Sequence, residues 1–167
     1  MKHLLSLLII SIIAFAATSC GGNGSAEGTE NTEATVASWS MTALVDSVDW
    51  QAKDVTTYED QGTLYITGVA TDGSKVILEM GVKPSIGIFS IRRGTVQAAT
   101  YVAPSGSKYY APFGGTTGVI NITGYASDSM VSGEFNFGAS NTLDLHIISE
   151  GAFVAPVTKK DVATPIM

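Results

Sequence analysis

The chain has 167 residues, with 15 acidic against 9 basic side chains for a formal net charge of −6 and only 14% charged residues. That balance argues against nucleic acid and against adsorption on anionic headgroups as charge-driven partners. One cysteine rules out an intramolecular disulfide and a cysteine-rich zinc site, and 18 glycines suit strands and tight turns better than solvated helices.

The chain opens with Lys2 and a nearly unbroken apolar run over residues 4–17, then small residues up to Cys20. This is the layout of a secretory signal peptide. The run is shorter than the ~20 apolar residues a spanning helix needs, and Gly21-Gly22-Asn23-Gly24 follows at once. Ala17-Thr18-Ser19-Cys20 resembles the lipobox of bacterial lipoproteins, with Ala17 where leucine is usual. The resemblance implies cleavage between Ser19 and Cys20 and acylation of Cys20 on its sulfur and its new amino group. At ~0.8 kcal/mol per buried methylene, several acyl chains would hold the protein to a membrane. Residues 1–19 are therefore expected to be a lipoprotein signal peptide. Residues 20–38, rich in Gly, Ser and Thr with Glu27, Glu30 and Glu33, read as a flexible lipidated tether. Gly21 in place of an aspartate resembles the signal for delivery to the outer membrane; the leaflet, periplasmic or surface, stays open.

From Trp39 onward, apolar and polar residues alternate between Gly, Asn and Asp punctuation. Residues 39–157 read as one all-β domain and 158–167 as a flexible tail. Strands are expected at 40–46, 54–59, 63–70, 74–81, 86–91, 95–102, 107–112, 117–125, 130–138, 142–148 and 152–157. The side-chain period of two then sets the loop lengths. A three-residue loop at Thr71-Asp72-Gly73 pairs Leu64 with Met80, Ile66 with Leu78 and Gly68 with Val76, keeping one face apolar. Three-residue loops at Ala139-Ser140-Asn141 and Ser149-Glu150-Gly151, with a four-residue loop over 126–129, would give a four-stranded meander across 118–157. That meander pairs Ile120 with Phe135, Ile122 with Gly133, Phe137 with Leu143, Phe135 with Leu145 and Ile147 with Phe153. Arg92-Arg93-Gly94 is a further candidate hairpin loop. Burying the apolar face requires a second layer, supplied by Trp50, Leu64, Ile66, Leu78, Met80 and Phe89. The expected architecture is an antiparallel two-sheet β-sandwich of hairpins and meanders, with a closed antiparallel β-barrel as the alternative.

Chemistry-bearing residues are sparse. His146 is the one histidine outside the signal segment. The meander register sets it opposite Glu134 and sets Asp144 opposite Asn136, with Asn121 beside Glu134. That surface patch is a metal or ligand candidate, but a solvated cross-strand pair is the commoner meaning, and no metal or cofactor is expected. Gly114-Gly115-Thr116-Thr117-Gly118 lacks the lysine of a phosphate loop and leads into a strand. Tyr109 and Tyr110 cannot both join an aromatic platform, because neighbours on a strand face opposite ways.

Met41-Thr42-Ala43, Thr63-Leu64-Tyr65-Ile66-Thr67-Gly68 with Asp72-Gly73, Gly118-Val119-Ile120-Asn121, Val131-Ser132-Gly133-Glu134-Phe135 and Glu150-Gly151-Ala152-Phe153 together resemble a family of small all-β envelope lipoproteins of Gram-negative gut-type bacteria. The resemblance implies fold and location but no catalytic residue, since the family's function is unknown. Asp46-Ser47-Val48 and Asp128-Ser129-Met130 resemble short O-glycosylation acceptors of such proteins. The expected function is a lipid-anchored, non-enzymatic envelope protein that binds a partner protein or glycan. The alternative is a purely structural surface-coat lipoprotein.

Overall fold

A computed structural model of the chain describes residues 38–81, 85–126 and 129–157. Cys20 and Ser19, with the expected signal peptide, nearly all of the tether and the tail, lie outside the described residues. Ten strands form, all in antiparallel pairs: β1 (Ser40–Val45), β2 (Val48–Asp60), β3 (Thr63–Ala70), β4 (Lys75–Met80), β5 (Gly87–Ile91), β6 (Ala98–Val102), β7 (Lys108–Ala111), β8 (Gly118–Ala126), β9 (Met130–Ser140) and β10 (Leu145–Pro156). Neighbours run β10-β1-β2-β3-β4-β6-β7-β9, and β9 pairs back onto β10. Eight strands thus close into a barrel, while β8 and then β5 continue outward from β9. The all-β antiparallel class holds, and the architecture is the barrel rather than the two-sheet sandwich.

Two long strands make the closure. β10 runs unbroken for 12 residues, with β1 on one edge and β9 on the other. Ser149-Glu150-Gly151 is not a hairpin loop but a bulge in its middle: Ile148 pairs with Phe137 and Gly151 with Phe135, so Ser149 and Glu150 share the place opposite Asn136. Glu150 takes the left-handed conformation (φ 51°), whereas Gly151, the residue a three-residue loop would place there, does not. An extra residue flips the parity of the strand. Ile148 faces the core ahead of the bulge, and Gly151, Phe153 and Ala155 face it afterwards. The expected pair Ile147–Phe153 is therefore not formed. Phe137–Leu143 and Phe135–Leu145 fail because β9 continues through Ser140 and the chain turns over 141–144 rather than at Ala139-Ser140-Asn141, which leaves Leu143, Leu145 and Ile147 exposed. The four-stranded meander is a three-stranded one.

The other registers divide along the same line. β3 and β4 pair as parity requires, Leu64 with Met80, Ile66 with Leu78 and Gly68 with Val76, around a turn in which Gly73 has φ +85°. Ile120–Phe135 and Ile122–Gly133 also form. The pairing of Ala126 with Met130 leaves three residues in that loop, not four, and a bulge at Thr123 makes up the difference. β1 and β2 meet through a two-residue turn, Asp46-Ser47, with both φ positive (51° and 67°), as hairpin twist favours. Residues 48–53 are consequently strand, where the sequence reading left a loop. Arg92-Arg93-Gly94 does turn the chain, but β5 pairs with β8 while β6 pairs with β4 and β7.

Side chains fill the barrel. Met41, Ile66, Leu78, Met80, Ile120 and Ile148 are wholly buried, with Trp50, Leu64, Phe135, Phe137 and Phe153 nearly so. Eight strands leave an interior just wide enough for such packing, so the barrel encloses a core rather than a ligand chamber.

Candidate functional site

One end of the barrel carries a polar cluster. Tyr101 on β6 and Tyr109 on β7 are cross-strand partners, both buried. His146 at the start of β10 packs edge-on against both rings, with centroids 5.1 Å and 4.3 Å away at 63° and 83°. Its Nδ1 lies 2.6 Å from Oδ2 of Asp46 in the β1–β2 turn. The Ile147 N–H donates to Asp46 Oδ1 (2.8 Å) and the Asp46 N–H donates to the Ile147 carbonyl (2.9 Å), so the turn is clamped to β10 at three points. Beside it the Trp50 indole N–H donates to Ser74 Oγ (2.8 Å), and the Ser74 hydroxyl and amide donate to Asp72 Oδ1 (2.5 and 2.9 Å).

These contacts set the local electrostatics. Partial burial pushes the Asp46 carboxyl up, but the Ile147 amide and the His146 hydrogen bond and charge outweigh it and hold the group below its ordinary value. The Ser74 hydroxyl and amide hold Asp72 down likewise. Burial, then the charges of Asp72 and Asp46 and the neighbouring Tyr109, raise the Tyr101 phenol. Among the described residues His146 hydrogen-bonds a carboxylate and no serine or threonine hydroxyl, an arrangement that fastens one strand end to another. Because the folded-state pKa of Asp46 is depressed, its stabilisation is present above the ordinary value of 3.8 and is lost as pH falls through the lower folded value. Urea unfolding between pH 5 and pH 2.5 should show wild type losing more stability than Asp46→Asn. The difference should stay below ~1 kcal/mol, since the pair is part-exposed, and parallel curves would contradict the clamp.

The expected surface patch comes apart. Glu134 and Asn136 do face outward on β9, and Asn121 Nδ2 lies 3.5 Å from Glu134 Oε2, as register implies. They border a shallow hollow of about 370 Å³ that also takes in Val119 and Glu150. His146 is instead opposite Ala139, and Asp144 lies in the β9–β10 loop, where its N–H donates to Asn141 Oδ1 (2.8 Å). The β9–β10 turn is the cause: β9 runs on through Ser140, so the chain turns over residues 141–144 rather than 139–141 and Leu145 pairs with Ser140. Of the two adjacent tyrosines one is buried (Tyr109) and one exposed (Tyr110). Asp46 as the partner of His146 is the residue sequence reasoning missed. The two are 100 positions apart, and only the β1–β10 ladder joins them.

A second hollow, about 610 Å³, lies where the turn after β5 meets the loop before β8, and Arg92, Arg93, Phe113, Gly114, Gly115 and Thr116 line it. The pairing of Ile91 with Gly118 places these two turns side by side.

The fold and these sites define a small closed antiparallel barrel with a packed interior, a polar cluster at one end and hollows on its outer wall. The chain belongs to the domain of unknown function DUF6252, whose family model matches residues 37–155. No curated protein and no solved structure matches it.

Proposed function

We propose that this chain is a lipid-anchored protein of the bacterial cell envelope, carried to the outer membrane and tethered through acyl chains on Cys20, whose barrel is a non-catalytic binding module for a glycan or a partner protein. The lone cysteine after a signal-like apolar run supports the tether. What carries the binding reading is where exposure falls. The interior is packed, whereas Tyr110 and Phe113 stand 46% and 44% exposed, and Phe113 lines a hollow supplied with polar donors. Exposed aromatic rings with polar neighbours are what sugar faces and protein partners dock against. A glycan array and a pull-down from envelope extract, both with the detergent-solubilised full chain, test this. The expected result is a retained glycan or a specific partner whose binding weakens about tenfold in Tyr110→Ala or Phe113→Ala. A blank array with no partner captured would overturn the binding reading in favour of a coat role.

A further inference from the structure

The hollow between the two turns is chemically unlike the rest of the surface. Arg92 and Arg93 are the only arginines in a chain of net charge −6, and both line it, with no carboxylate among the lining residues. Among the described residues neither guanidinium takes part in an ion pair or hydrogen bond. Across the hollow lies the Phe113-Gly114-Gly115-Thr116 turn. Gly114 and Gly115 are both left-handed (φ +60° and +87°), and among the described residues their N–H groups donate to nothing in the protein. Phe113 adds a half-exposed aromatic ring.

Both walls are built in the same way and held still. In each turn a threonine at the fourth position closes back on the first residue. The Thr95 hydroxyl donates to the Arg92 carbonyl (2.8 Å) and accepts from the Arg92 N–H (3.2 Å). The Thr116 hydroxyl donates to the Phe113 carbonyl (2.8 Å) and accepts from the Phe113 N–H (2.9 Å). Backbone bonds of 3.1 and 3.0 Å close the same two turns, and the Ser140 hydroxyl pins Phe113 to β9 (2.9 Å). The backbones of both turns, and with them the glycine amides, are thus fixed before any ligand arrives, which reduces part of the ordering cost of binding. Paired guanidiniums recognise planar or tetrahedral oxyanions, and successive free backbone amides add to that preference.

We propose that this hollow is a binding site for an acidic saccharide: the oxyanion of the sugar, whether carboxylate, sulfate or phosphate, is held by Arg92, Arg93 and the amides of Gly114 and Gly115, and a ring face lies on Phe113. A saccharide fits better than an acidic peptide because the cations adjoin the half-exposed ring of Phe113, on which a sugar face can stack. The proposal rests on the binding-module reading and narrows it to one site and one class of ligand.

The test uses the ¹⁵N-labelled full chain in detergent micelles, titrated with a galacturonate trisaccharide, a sulfated disaccharide, a sugar phosphate, neutral maltotriose and a tetraglutamate peptide. At least one acidic sugar should move the Gly114 and Gly115 amide signals and bind at least tenfold more tightly than maltotriose; the strongest arm names the oxyanion. Arg92→Gln with Arg93→Gln should weaken that binding at least tenfold, and Phe113→Ala severalfold. Both arginines are exposed, so the doubly substituted chain should keep its circular dichroism spectrum and melting temperature. The proposal is overturned if no acidic sugar moves those two amides, if tetraglutamate outbinds every sugar, or if the arginine variant binds like wild type. Neutral-glycan binding on the array that ignores the arginine substitutions would leave the module reading standing and remove this site alone.

Discussion

Gly133→Ala is expected to be among the most damaging single substitutions in the barrel, lowering stability by ~3 kcal/mol or more and the melting temperature by roughly 10 °C. Gly133 is buried on β9, and a Cβ built there runs into the carbonyl oxygen of Asn121 on β8, with two Phe153 ring atoms at 3.0 and 3.1 Å. That carbonyl lies between the paired positions Asn121–Glu134 and Ile122–Gly133 and cannot swing aside without breaking the ladder there. Gly151 is confined in a related way: its added Cβ would sit 2.5 Å from the ring of Phe135, which packs near Phe137 and Phe153. Gly73 is the control. It has φ +85° and open space around it, so Gly73→Ala meets only the left-handed backbone cost of ~1–2 kcal/mol. Thermal unfolding of the three variants should rank Gly133 well below Gly73. Equal losses would mean that β8 and β9 do not approach as described.

The second large effect falls on Trp50. It is nearly fully buried on β2 and its indole N–H donates to Ser74, itself fully buried, so Trp50→Ala removes both packing and a hydrogen bond. The expected loss is ~3–5 kcal/mol. Ser74→Ala leaves the indole N–H without its acceptor and breaks the hydroxyl bond to Asp72, while the backbone N–H bond to the same carboxylate stays, at ~1–3 kcal/mol. The two sites share one network, so Trp50→Phe combined with Ser74→Ala should cost less than the sum of the separate changes. Urea unfolding followed by circular dichroism measures all four. Strict additivity would show that the indole and the hydroxyl act independently.

How much of this was legible from residues alone depended on whether a strand stays in phase. β3–β4 could be read because Leu64, Ile66, Val76, Leu78 and Met80 alternate without a slip and Gly73 ends the turn. The Ile120–Phe135 register survived a wrong loop length only because the bulge at Thr123 lies beyond those pairs. At Ser149-Glu150-Gly151 a polar, glycine-ended triplet that can close a hairpin forms a bulge instead, with Glu150 left-handed, and nothing local separates the two. A hairpin read there cuts one continuous strand in two, and a preceding turn read at 139–141 rather than 141–144 sets His146 against Glu134 instead of Ala139. The Asp46-Ser47 turn lacked the Asn or Gly that usually announces a two-residue hairpin, so the 48–53 strand was read as a loop. The candidate sites followed suit. Asn121 beside Glu134 came from a register the alternation fixed, whereas Asp46 with His146 needed the bulged ladder. The hollow at Arg92 and Arg93 needed β5 to pair with β8 rather than with the strand that follows it.

Feeding labelled palmitate to cells expressing the protein, then separating membrane from soluble material, reaches the central claim directly. The account predicts label on the wild-type chain in the membrane fraction, with Cys20→Ala unlabelled and released. An unlabelled wild-type chain in the soluble fraction would contradict it.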